Sequence, residues 1–418
     1  MKLLLYSANF APEPTGIGKY SGELAAWLAA RGHELRVVCA PPYYPAWRVE
    51  AGYRWPPYRH EHWQGVGVWR APLWVPARPG GLARVLHLAS FALASLPLLL
   101  RHGAWRPDLV LTVAPALACA PAGWALARLC GARAWLHVQD FEVDVALRMG
   151  LLGRGGGALR AAESALLKRF DVVSTISQRM LERLWHKGVP GERTRLFVNW
   201  ADVDAIRPLD APSAYRAELG LAPGVRVALF SGSLGAKQGL GLIPEAARRL
   251  QARSDLVFVV CGEGALRAEL ETAARALPNL RLLSLQPLAR LGELLNLADV
   301  HLLPQSVQAE DLVLPSKLTG MLASGRPVVA TCRPGTELAG VVAHCGLVVP
   351  PDDAQALADA LAALVDDDAR RLRLGAQARA HALQHLARDA VLHGFEAQLL
   401  ALCGKAAAGG VAASEPLP

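Results

Sequence analysis

A chain of 418 residues that is 52% hydrophobic and 19% charged can bury two cores of ordinary size, which excludes a disordered chain and favours two domains. The formal net charge of +8 is carried mostly by arginine, whose planar fork suits phosphates and anionic surfaces, although a GC-rich coding bias produces the same excess. The seven cysteines are dispersed without a C-x-x-C pair, which points to a reducing cytosol and away from a zinc site.

Residues 2–7 read as a buried strand, too short an apolar run for a signal peptide. A loop with Pro12 and Pro14 leads to Gly16-Ile17-Gly18, where missing Cβ atoms let the backbone approach a ligand. A helix follows, with Leu24, Trp27 and Leu28 on one stripe, and then a strand at 35–40. That unit opens a doubly wound sheet.

Residues 41–79 interleave aromatics, arginines and prolines and predict no regular element. They read either as an acceptor-facing loop or as a surface excursion packed on its own tryptophans. Residues 85–100, VLHLASFALASLPLLL between Arg84 and Arg101, are too short to span a bilayer and predict a buried helix. A helix lying on a membrane surface is the alternative.

Strands are expected at 108–113 and 134–138, the second ending in the polar run His137, Gln139, Asp140, Glu142 and Asp144. Thr175 and Ser177 start a further helix. Prolines 208, 212 and 223 place a linker at 201–222, between an N-terminal domain of 1–200 and a C-terminal one of 223–385. A helix at 386–403 is expected to pack back on the first domain, and 404–418 to form a disordered tail. The pair Asp202 and Asp204 falls in the linker, so no metal is expected.

The second half repeats the pattern with a strand at 226–230, the glycine turn Ser231-Gly-Ser233-Leu-Gly235-Ala-Lys237-Gln-Gly239 and a helix. Amides at such a turn, with Lys237, suit a diphosphate, while a tight βα turn with a surface lysine is the plainer reading. No G-K-[ST] ends it, so it is not a P-loop. Residues 309–331, AEDLVLPSKLTGMLASGRPVVAT, read as a loop, a Pro315-Ser316 helix start, a helix over 317–324 closed by Gly325, and a buried strand.

In order and spacing, these pieces resemble the retaining glycosyltransferases of GT-B fold, family 4, which implies two Rossmann-like doubly wound α/β domains facing across a cleft. HVQDFEVD at 137–144 and DLVLPSKLTGMLASGRPVVA at 311–330 are most similar to the WcaI-type enzymes of colanic acid biosynthesis. The resemblance implies a nucleotide-diphosphate sugar donor, with Lys237 on its diphosphate and Gly16 and Gly18 on its phosphate from the opposite domain. It also implies Glu263 and Gln286 beside the nucleotide, with Ser233, Gly235, Ser316, Lys317 and Thr319 completing the donor site. His137 is then near the transferred sugar, to orient it or relay a proton, or is simply a hydrogen-bonded strand-end histidine. Two departures stand out: Ser233 replaces the usual arginine, and Gly320 occupies the position of the second motif glutamate. Asp311 and Glu310 are the substitute carboxylates and Lys317 the substitute cation.

The implied reaction moves a hexose, fucose by analogy, to a polyprenyl-diphosphate-linked saccharide at the inner membrane face. No cofactor, obligatory metal or nucleic acid is needed, and the protein is cytoplasmic with peripheral membrane contact. A NAD(P)-dependent oxidoreductase, from Gly16-x-Gly18-x-x-x-Gly22, and a non-catalytic sugar-nucleotide binder are the alternatives.

Overall fold

The computed structural model describes residues 1–77, 81–141, 144, 156–235, 238–306 and 314–405. Its contacts divide into two units: 1–138 with 165–174 and the chain from Asp389 on, and 139–164 with 175–388.

The first unit is built on β1 (Lys2–Ser7), β2 (Glu34–Cys39), β3 (Arg59–Trp63), β4 (Val66–Arg70), β5 (Leu109–Pro115), β6 (Arg133–Asp140) and β7 (Val172–Thr175). Their order is β3-β4-β2-β1-β5-β6-β7. The central strand β1 is parallel to both neighbours, with Leu5 opposite Val37 on one side and Leu111 on the other. These near-continuous apolar strands are buried on both faces, as expected of a parallel sheet covered by helices. The covering helices include α1 (Gly16–Ala30), α2 (Gly81–Gly103) and α3 (Ala116–Cys130).

Two expectations for 41–100 are corrected. The proline-rich stretch contains the antiparallel hairpin β3–β4, turning through Gln64 and Gly65, both at positive φ (46° and 81°). Such a pair of positive φ values matches the twist of two strands, and the alternation in RHEHW and VGVWR is the signal that the surrounding prolines obscured. The apolar run forms a helix that is buried on one side only: Phe91 and Ser95 face the core, while Val85, Leu93 and Leu100 are 58%, 68% and 67% exposed.

The second unit contains the short strand β8 (Thr194–Leu196) and a sheet of β9 (Arg226–Ser231), β10 (Leu256–Cys261), β11 (Leu280–Leu283), β12 (Val300–Pro304), β13 (Val328–Thr331) and β14 (Gly346–Val349). The order is β11-β10-β9-β12-β13-β14, parallel throughout. This is the dinucleotide-fold order, in which the winding reverses between β9 and β12. Phe230, Phe258, Val260, Leu302 and Leu361 lie in its fully buried core. Helices of this unit include α4 (Leu242–Arg249), α5 (Lys317–Ala323) and α6 (Ala354–Asp366).

By contacts the two units are not contiguous along the chain. The helix after β7 belongs with the second unit because the amides of Gln178 and Arg179 donate to the Glu337 carboxylate, at 2.8 and 2.9 Å. Residues 201–222 carry Ile206 and Tyr215 into that unit's buried clusters. The last helix, α7 (Arg388–Leu402), contributes Phe395 against Trp135 and Glu396 against Arg31 and His33, all in the first unit. The tail from 406 lies outside the described residues.

Candidate functional site

In open α/β sheets ligands bind beyond the strand carboxyl ends where the winding reverses. In the second unit that point lies between the turn after β9 and the loop after β12. The two are in contact: a Cβ on Gly239 would lie 3.3 Å from the backbone of Gln305 and Ser306.

The turn after β9 is held by backbone pairing to the turn after β10. Gly232 N–H donates to Cys261 O at 2.9 Å, Leu234 N–H to Glu263 O at 2.9 Å, and Leu266 N–H to Leu234 O at 3.0 Å. The approach requires glycine. A Cβ on Gly262 would fall 1.9 Å from the Gly232 carbonyl oxygen, and one on Gly264 2.6 Å from that of Leu234, at φ values of 152° and 153°. The sequence motifs SGSLG and CGEG are therefore two halves of one rigid platform, on which Ser233 is exposed.

Lys317 reaches this platform from the first residue of α5. Its Nζ donates to Oε1 of Gln238 at 2.6 Å, lies 4.2 Å from the centroid of the Phe230 ring, and would sit 3.2 Å from a Cβ on Gly232. Among the described residues no carboxylate pairs with it, and desolvation lowers its pKa to about 7. An ammonium held in this way, with no acidic partner among those residues, is suited to an anionic ligand. Gln238 was missed in the sequence, where nothing local marks it as the partner of a lysine on a distant helix.

The other donor-site candidates of this unit vary in how their side chains are used. Thr319 is buried and donates its hydroxyl to Ser316 O at 2.9 Å. Ser316 precedes α5 without capping it through its side chain, and the helix has only 7 residues, so its dipole is small. Gln286 accepts from the Tyr215 hydroxyl at 2.9 Å. Glu263 is exposed and faces Arg267 at 3.5 Å. Gly320 would place a Cβ 3.1 Å from Leu295 Cδ1, so a larger residue there would require the Leu295 side chain to shift. Asp202 caps the N–H of Ala205 and pairs with Arg388, so its carboxylate has structural work. Lys237, Asp311 and Glu310 lie outside the described residues.

In the first unit the winding reverses between β1 and β5, and the loop after β1 carries Gly16 and Gly18 into α1. Gly16 has φ +60°. Gly18 packs on Glu13, where a Cβ would lie 2.5 Å from Oε2. Glu13, missed in the sequence between its two prolines, is 3% exposed and accepts from Asn9 Nδ2 at 2.9 Å and from the amides of Tyr43 and Tyr44 at 3.1 and 3.0 Å. Burial outweighs these hydrogen bonds and raises its pKa to about 7. Buried Arg70 at the end of β4 ties the same loop down, donating to Ala11 O at 2.6 Å and Ala40 O at 2.8 Å.

His137 sits near the carboxyl end of β6, 3% exposed, with Nδ1 2.9 Å from Ser174 Oγ. Desolvation lowers its pKa to about 3, so the ring is neutral at ordinary pH. A neutral ring can orient a sugar hydroxyl but does not supply a proton near pH 7.

Comparison with known proteins bears on the family and the fold. Residues 15–200 match the family model of the glycosyl transferase 4-like domain, and residues 213–381 that of the glycosyl transferases group 1. The chain is 44% identical over 348 residues to the putative colanic acid biosynthesis glycosyl transferase WcaI of Escherichia coli (strain K12), covering 81% of this chain and 85% of that protein. It is 29% identical over 242 residues to the D-inositol 3-phosphate glycosyltransferase of Corynebacterium glutamicum (strain R), covering 54% of this chain and 56% of that protein. Among solved structures, sucrose-phosphate synthase from Thermosynechococcus elongatus superposes with a TM-score of 0.73 at 18% identity, covering 96% of this chain and 100% of that one. Anabaena HepE in complex with UDP-glucose gives 0.70 at 16% identity, covering 96% and 100%. These two likenesses carry the fold alone. Taken with the 44% identity over most of both chains, the two family models and the paired Rossmann-like sheets mean that this chain belongs to the GT-B glycosyltransferases of family 4, in the group of the WcaI-type enzymes of polysaccharide biosynthesis.

Proposed function

We propose that the chain transfers a hexose, with retention, from a nucleotide-diphosphate sugar to a polyprenyl-diphosphate-linked saccharide in exopolysaccharide or capsule synthesis. The carrying observation is Lys317, whose ammonium lies at the winding reversal of the second unit against the glycine platform, with no carboxylate partner among the described residues. A departing nucleoside diphosphate needs its developing charge stabilised, which a fixed cation and nearby amides accomplish without a metal. Lys237 and Asp311 are assigned to the same site as cation and sugar-hydroxyl acceptor, and His137 to orienting the sugar. The acceptor hydroxyl attacks from the face the diphosphate leaves.

The similarity to a colanic acid enzyme supports a lipid-linked acceptor and a cytoplasmic protein in peripheral contact with the inner face of the plasma membrane. Fucose is the first donor sugar to test. Neither comparison favours an oxidoreductase, since both family models are those of glycosyltransferases.

A thermal-shift screen of UDP-, GDP- and dTDP-sugars identifies the donor, because a ligand of the folded form raises its stability by mass action. Release of the matching nucleotide in the presence of membrane extract then tests transfer. A chain stabilised by a donor that never releases nucleotide is a binding protein, and the proposal fails.

A further inference from the structure

We infer that the outward face of α2 is a docking surface for an anionic bilayer, on which the helix lies in the membrane plane instead of crossing it. This deepens the membrane contact proposed above, but its observations do not depend on the reaction.

Across Ala83–Gly103 the mean hydropathy is 1.7, yet only 22% of the most apolar window is buried. The helical period separates two apolar faces. One carries Phe91, Ser95, Leu98 and Leu99 into the core, where the Tyr6 hydroxyl lies 2.7 Å from Ser95 Oγ and the Tyr6 ring stacks on Phe91 at 5.6 Å. The other presents Val85, Leu86, Leu93, Leu96 and Leu100 to solvent as one stripe without a charged residue. A helix whose inner face is packed on protein cannot be surrounded by lipid, so its one free apolar face lets it lie on a bilayer without spanning it.

Charge and aromatic placement point to the same occupant. Among the described residues from 41 to 103, Arg48, Arg54, Arg84 and Arg101 are exposed, and the last two flank the stripe along the sequence. Beside the helix stand exposed Tyr58 and Trp74, rings with polar tips of the kind found at headgroup level, and Trp55, three residues before Tyr58, is 81% exposed. Tyr58 and Trp74 are tied to α2 itself: the Tyr58 hydroxyl donates to Ala94 O at 2.9 Å, and the Trp74 backbone N–H donates to Ser90 Oγ at 2.9 Å. A convex aliphatic ridge with an aromatic border and flanking guanidinium groups matches acyl chains below and anionic headgroups around it.

The test is sedimentation of the full chain with vesicles of phosphatidylcholine alone or mixed with phosphatidylglycerol, without donor or acceptor. Binding to the anionic vesicles is expected, reduced about tenfold or more in the Leu93→Ser/Leu100→Ser variant and weakened by salt in wild type. The variant changes only exposed side chains, so its melting temperature should match wild type. Quenching of tryptophan emission by brominated acyl chains, diminished in Trp74→Phe, supports the in-plane pose. Absence of sedimentation with any vesicle overturns the inference, as does a lipid-free dimer dispersed by the same double substitution, which assigns the face to a second copy. Equal binding to uncharged vesicles overturns its anionic part. Loss of vesicle binding with transfer to a soluble acceptor intact counts against docking alone, and the reverse counts against the proposed reaction alone.

Discussion

Lys317 donates from Nζ to Oε1 of Gln238 at 2.6 Å, joining positions 79 residues apart at the winding reversal of the second sheet. The contact fixes the position of the amine, while burial sets its charge state. Because burial lowers the Lys317 pKa to about 7, the unfolded chain keeps a proton there that the folded chain gives up. The burial penalty is complete below about pH 7 and is relieved as pH rises toward the ordinary lysine range, so this group alone makes stability increase over that interval.

A bound diphosphate should reverse that preference by favouring the ammonium. Donor binding above pH 7 is expected to take up a proton and to weaken about tenfold per pH unit. Titration calorimetry in buffers of different ionisation enthalpy measures the uptake. Lys317→Ala should abolish it and weaken nucleotide-diphosphate binding about 10- to 100-fold. Uptake that survives the substitution would assign the proton to another group.

Gly264→Ala should destabilise the second unit by about 3 kcal/mol or more, since its Cβ would meet the backbone at Leu234, which cannot rotate away. Gly52→Ala, with nothing within 4 Å of the added carbon, is the control and should be near neutral. Urea melts of the two variants check both. Equal melts would mean that the platform is looser than its hydrogen bonds imply.

Acid should unfold the protein through its buried histidines. Desolvation lowers His102 to about 4 and His137 and His301 to about 3. The unfolded chain takes up these protons below about 6.5 and the folded chain resists, so stability falls as pH drops, by about 1.4 kcal/mol per unit for each ring. In His301→Gln the slope of stability against pH between 6 and 4 should be shallower than in wild type. Denaturant midpoints at several pH values measure it.

Glu13 acts in the opposite sense. Its pKa is raised to about 7, so its contribution is complete below about 4.5 and is lost as pH rises through 7. Relative to wild type, Glu13→Gln should gain about 3 kcal/mol between pH 4.5 and pH 8. A constant stability difference across pH would show that the carboxyl is already ionised in the folded state.

Much of this was legible because it is local. Strand, glycine turn and helix follow one another within a few residues in both halves, and each is signalled by apolar runs, glycines and caps such as Ser177, whose hydroxyl accepts from Met180 N–H. The β3–β4 hairpin was not legible, because its alternation is short and lies among prolines that favour loops.

Sequence by itself determined the two apolar sheets, the glycines that bring turns to their ends, and a helix over 85–100, since propensity and periodicity act over neighbouring residues. Only the tertiary structure decided that Gly262 closes on Gly232, that Lys317 meets Gln238, and that one apolar face of α2 stays in solvent. Hydrophobic period states that a face is apolar, but whether that face is covered depends on which distant strands and helices are packed beside it, and the order of winding sets those neighbours.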